Sequence, residues 1–73
     1  MKKIFKLEDL DCPNCTAKIE VDVTKIDGVE SAAINFLSQK MVIECDENKA
    51  TEIAKLIKKI VKKYEPDVEV LEL

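Results

Sequence analysis

The stretch of this chain whose residue types and spacing could do chemistry is Asp11-Cys12-Pro13-Asn14-Cys15. Two thiols three positions apart can close on one soft metal ion or on each other. The Asp11 carboxylate stands where it could complete a metal site. No histidine occurs in the chain, so a site here must be built from sulfur and oxygen. If a strand ends before the motif and a helix opens in it, Cys15 falls in the first helical turn, among unpaired N–H groups at the positive end of the helix dipole. That setting lowers a thiol's pKa and favours the thiolate, which both binds metal and attacks disulfides. Spacing alone leaves the metal and redox readings open.

The flanking pattern supplies those elements. Residues 3–10 read as a strand with Phe5 and Leu7 facing inward. Asp11 to Asn14 form a loop, with Pro13 just before or at a helix start, where its missing N–H costs nothing. Ile19, Val23 and Ile26 recur at helical spacing and predict a helix from about Cys15 to Lys25, ended by a turn at Asp27-Gly28. Ala32, Ile34 and Phe36 then alternate with polar residues, and Met41, Ile43 and Cys45 do so again. The short link Leu37–Lys40 suits an antiparallel hairpin. Asp46 to Asn48 carry capping residues for a second helix, Lys49 to Lys63, whose inward face is Ile53, Leu56 or Ile57, Ile60 and Tyr64. Glu65-Pro66-Asp67 breaks it, and Val68, Val70 and Leu71 make a closing strand. The order strand, helix, strand, strand, helix, strand predicts an α+β, ferredoxin-like βαββαβ sandwich. Its four-stranded antiparallel sheet would carry both helices on one face. The domain fills residues 1–73.

Composition narrows the function classes. Seventy-three residues with 47% hydrophobic content make one small globular domain. No apolar run approaches the roughly 18 residues of a membrane helix, and the N-terminus carries no signal-peptide block. Three cysteines suit a reducing compartment, so a cytoplasmic domain is expected. A net charge of −3 with one Tyr, two Phe and no Trp argues against nucleic acid. Lys55, Lys58, Lys59, Lys62 and Lys63 crowd one segment. They are read as the solvated face of the second helix, with docking to an acidic partner as the sharper alternative.

Leu7 to Glu20, LEDLDCPNCTAKIE, resembles the metal-binding loop of heavy-metal-associated domains, the copper chaperones and N-terminal modules of metal-exporting P-type ATPases. The resemblance runs along the whole chain, through Val23–Val29, Ile34-Asn35-Phe36 and Met41–Asp46. It implies that Cys12 and Cys15 bind one metal ion at the surface and pass it by ligand exchange to a metal-transporting P-type ATPase or another such domain, or regulate that transporter. It implies no catalysis, no membrane insertion and a monomer when apo. Where the family usually has Gly-Met-Thr or Gly-Met-Asp, this chain has Asp9-Leu10-Asp11. Leu10 takes the place of the methionine that props the loop from the core side. Asp11 is similar to the aspartate of the family's zinc, cadmium and lead exporters. Coordination chemistry agrees: Cu(I) accepts two sulfurs, whereas a divalent ion wants about four ligands and welcomes a carboxylate. Zn²⁺, Cd²⁺ or Pb²⁺ is therefore the favoured cargo of a Cys12, Cys15 and Asp11 site, with Cu(I) as the alternative. An aspartate at a helix start is also often only an N-cap.

Other residues carry less. Cys45 falls on the inward face of its strand and reads as a core cysteine. Glu8, Asp9, Glu20 and Asp22 could face a basic partner but fit ordinary surface. Pro66 stands where copper chaperones often place a Lys or Tyr near the metal. Tyr64 reads as the end of the buried helical stripe. A thiol–disulfide enzyme is the rival class, since glutaredoxins share a proline after the first cysteine. They also need a proline loop facing the thiols and a glycine pair. This chain has Gly28 alone, offers only Pro66, and ends on a strand.

Overall fold

A computed structural model describes residues 1–73. The elements follow in the order β1 (Lys2–Glu8), α1 (Pro13–Thr24), β2 (Val29–Asn35), β3 (Lys40–Cys45), a 3-10 turn (Glu47–Lys49), α2 (Ala50–Tyr64) and β4 (Glu69–Glu72). The strands form one sheet in the order β2-β3-β1-β4, and every neighbouring pair is antiparallel. This is the expected ferredoxin-like βαββαβ arrangement.

Strand alternation builds one side of the core. Phe5 and Leu7 of β1 lie beside Met41 and Ile43 of β3 and Val70 of β4, all buried. Ile19 and Val23 of α1 and Ile53, Ile57 and Val61 of α2 cover that face in a single cluster. Ile57 takes the inward position and Leu56 is 42% exposed, because a hundred degrees of helical rotation separates adjacent residues. Val61, absent from the expected inward face, is fully buried, while Leu71 of β4 points outward.

Connections obey local chemistry. Gly28 turns the chain into β2 at φ 97°, a backbone conformation that L side chains rarely adopt, and this favours glycine there. Asn35 Oδ1 accepts from the Leu37 and Ser38 N–H groups and shapes the β2–β3 turn. Asp46 caps the 3-10 turn, accepting from the Asn48 N–H. α1 starts at Pro13, two residues earlier than expected, with Cys12 and not Asp11 as its N-cap.

Candidate metal centre

β1 delivers the chain to the site, and the loop beyond it is fastened from below. Asp9 takes a positive φ of 68°, which lets Leu10 turn back into the core. Leu10 thus props the loop, as its place in the motif implied. Its carbonyl accepts from Gln39 Nε2 at 2.8 Å, and Leu7 N–H donates to the Gln39 carbonyl at 2.7 Å. Pro13 then occupies the first helical position, where a fixed φ and a missing N–H suit a helix start.

Both cysteines belong to that first turn. Cys12 Sγ accepts from the Cys15 N–H at 3.3 Å, filling the role an oxygen usually plays in an N-cap. The Cys12 carbonyl accepts from the Thr16 N–H at 3.0 Å and from the Thr16 hydroxyl at 2.9 Å. Buried Thr16 therefore locks the turn that carries the two half-buried thiols, which are free and not joined in a disulfide.

A third donor arrives from the far end of the chain. β1 and β4 are antiparallel with Glu8 opposite Glu69, so the connection entering β4 rises beside the loop leaving β1. Glu65, the residue that ends α2, lies in that connection with φ −138° and ψ 81°. Its N–H donates to the Val61 carbonyl at 2.7 Å and its carbonyl accepts from the Val68 N–H at 3.1 Å. The sulfurs of Cys12 and Cys15 and a carboxylate oxygen of Glu65 all lie within 4.8 Å of one another. Asp11 is exposed and stands outside this group.

Glu65 escaped the sequence reading, which treated Glu65-Pro66-Asp67 only as a helix breaker. A signal was present. In a βαββαβ sheet with β4 beside β1, the first and last crossover loops share one end, and Glu65 is the acid at the last helix terminus.

Crowding these groups changes their chemistry. The Cys15 thiol is pushed up to about 12, chiefly by its hydrogen bond to the Cys12 sulfur, then by loss of solvent and by the Glu65 carboxylate. The lowered thiol pKa expected at a helix N-terminus does not hold for Cys15, because the neighbouring sulfur and carboxylate outweigh the dipole. A proton kept on Cys15 disfavours attack by that sulfur. A metal ion must displace that proton, so loading at Cys15 is coupled to proton release.

The remaining candidates resolve simply. Cys45 is 2% exposed, within the core and outside the donor group. The ring of Tyr64 does end the buried stripe of α2, and its hydroxyl donates to Asp22 Oδ2 of α1 at 2.6 Å. Lys55, Lys58, Lys59, Lys62 and Lys63 are exposed, and the two ion pairs of the molecule, Lys3–Glu72 and Lys49–Asp27, lie elsewhere.

A family model described as the heavy-metal-associated domain matches residues 4–65, a span that includes both cysteines and ends on Glu65. This chain belongs to the heavy-metal-associated domain family. It is a non-catalytic, heavy-metal-binding module. The domain is 33% identical over 70 residues to a cadmium, zinc and cobalt-transporting ATPase of Bacillus subtilis, covering 96% of this chain. It spans about a tenth of that transporter's length, 10%. It is 34% identical over 62 residues to the copper chaperone CopZ of Enterococcus hirae, covering 82% of this chain and 90% of the chaperone. The solved apo form of the Enterococcus hirae copper chaperone superposes with a TM-score of 0.75 at 26% identity, covering 97% of this chain and 98% of the other. No helix of the domain is long and apolar enough to cross a membrane.

Proposed function

We propose that this domain binds one divalent thiophilic ion, Zn²⁺, Cd²⁺ or Pb²⁺, through Cys12, Cys15 and Glu65, and passes it to a metal-transporting P-type ATPase or to another heavy-metal-associated domain. The observation that carries the proposal is the Glu65 carboxylate within 4.8 Å of both sulfurs. Two thiolates and a carboxylate suit an ion that wants about four ligands. Asp11, free on the exposed loop one residue before Cys12, supplies the fourth donor and can be displaced by an incoming partner thiolate. Half-buried sulfurs keep the site open on one side, so a partner's ligand enters before the first one leaves. The similarity to a cadmium, zinc and cobalt-transporting ATPase supports a divalent cargo, and a cytoplasmic setting suits free thiols.

A second reading, a Cu(I) carrier, is favoured by the similarity to CopZ, and two sulfurs alone satisfy that ion. Competition titrations of the reduced protein with Zn²⁺ and with Cu(I), on wild type, Glu65→Gln and Asp11→Ala, separate the two. Zn²⁺ affinity that falls in both variants beside unchanged Cu(I) affinity supports the divalent centre. Zn²⁺ affinity indifferent to both carboxylates leaves the Cu(I) carrier. Cys12→Ser or Cys15→Ser is expected to abolish tight binding of either ion while the circular dichroism spectrum of the fold persists. Stable one-to-one binding by Cys15→Ser would rule out the two-sulfur site.

A further inference from the structure

Tyr64 and Asp22 sit apart from the three metal donors, yet they join the two helices that carry those donors. Asp22 lies seven residues beyond Cys15 on α1, two helical turns and roughly 10 Å along the axis, and therefore on the same flank of the helix. Tyr64 immediately precedes Glu65 at the end of α2. One flank of α1 thus presents Cys15 and Asp22, and the end of α2 meets them with Glu65 and Tyr64 respectively. The hydrogen bond from the Tyr64 hydroxyl to Asp22 Oδ2, at 2.6 Å, is the only one between side chains of α1 and α2.

The geometry points to Tyr64 and Asp22 as positioning residues that hold Glu65 in the metal centre and so set the preference for divalent over monovalent ions. This inference rests on the reading of Glu65 as a ligand. Glu65 is held by its own backbone hydrogen bonds and by the Cys15 thiol, and the Tyr64–Asp22 bond adds a tether one residue away. Its backbone has already left the helix, with its N–H on the Val61 carbonyl at 2.7 Å and its carbonyl taking the Val68 N–H at 3.1 Å, its carboxylate meets the Cys15 thiol, and Pro66 and Asp67 after it are exposed. The nearest fully anchored side chains are Val61 and Val68, three or more residues away on either side. Helix ends fray where the final carbonyls lack partners, and a charge-assisted hydrogen bond from the last residue opposes that. A two-sulfur Cu(I) site does not use Glu65 and is indifferent to where its carboxylate lies.

The test is the Zn²⁺ and Cu(I) competition pair on Tyr64→Phe, Glu65→Gln and the double variant, with circular dichroism to check the fold. Tyr64→Phe keeps the ring and removes only the hydroxyl. It is expected to weaken Zn²⁺ binding about tenfold, the usual scale for losing a group that orients a metal ligand, and to leave Cu(I) affinity within about twofold. In the Glu65→Gln background it should cost nothing further, because the ligand it positions is already lost. Asp22→Ala breaks the same bond from the other side and should match Tyr64→Phe, whereas Asp22→Asn keeps an acceptor and should restore most of the affinity. Three results would overturn the assignment: wild-type Zn²⁺ affinity in Tyr64→Phe and Asp22→Ala, equal losses of Zn²⁺ and Cu(I), or additive losses in the double variant. Should Glu65→Gln alone leave Zn²⁺ binding intact, the carboxylate ligand fails and the tether with it. Should Glu65→Gln weaken Zn²⁺ binding while Tyr64→Phe does not, only the tether fails.

Discussion

The proton on Cys15 governs how the centre loads. Its thiol is raised to about 12 by the Cys12 sulfur, by loss of solvent and by Glu65, so at neutral pH an arriving ion must displace that proton. Each proton released makes the logarithm of the apparent affinity rise by about one per pH unit. Zn²⁺ affinity is therefore expected to climb at least that steeply between about pH 6 and 8. Calorimetry in buffers of different ionisation enthalpy should find at least one proton released per ion. A flat pH profile would mean that Cys15 is already a thiolate in the apo protein.

α2 is an element with sharply divided sides. Ile57 is fully buried and its sequence neighbour Leu56 is 42% exposed. Ile57→Ala should cost about 2–5 kcal/mol in chemical unfolding, and Leu56→Ala only about 0.5 kcal/mol. Comparable losses would mean that α2 packs through a different face. At the other end of the molecule Asp27, beyond α1, meets Lys49, just before α2, at 2.7 Å. The Lys49 ammonium holds the Asp27 carboxyl below its usual value, and Asp27 holds Lys49 above its own. The Asp27 contribution is present above the ordinary carboxylate pKa and is lost as pH falls through the lowered one. The Lys49 contribution is present below the ordinary lysine value and is lost as pH rises through the raised one. Asp27→Asn should thus reduce the thermal midpoint slightly at neutral pH. The difference should vanish once acid protonates Asp27, and it should shrink in about 1 M salt, because both groups are largely exposed.

At the scale of the whole molecule, the proposed metal centre would tie residues 12 and 15 to residue 65, across nearly the full length of the chain. An ion held there binds the folded state more tightly than the open chain, which keeps the two cysteines together but not Glu65. At a free-ion concentration a hundred times the dissociation constant it should add about 2.7 kcal/mol to unfolding stability. Denaturation with and without Zn²⁺ measures this, and Glu65→Gln should reduce the gain in step with its loss of affinity. An unchanged gain in Glu65→Gln would show that the two cysteines alone carry the linkage. The five exposed lysines of α2 also divide the surface. Within a net charge of −3 they leave a basic helix face against an otherwise acidic domain.

By itself the sequence determined the element order, the antiparallel sheet, the burial of Cys45, the turn at Gly28 and the placing of Cys12 and Cys15 together at the start of the first helix. These follow from signals a few residues long: alternation in strands, helical spacing of Ile19 and Val23, and a CxxC pair around a proline. Only the tertiary structure decided which carboxylate stands with the sulfurs. Asp11 is adjacent to Cys12 in the chain yet exposed and outside the three-residue group, whereas Glu65 is brought in because β4 returns antiparallel beside β1. The raised Cys15 thiol owes its largest part to Cys12, three residues away, and only a lesser part to Glu65. Distance along the chain says little about distance in space once a sheet has closed, and electrostatics responds to the latter.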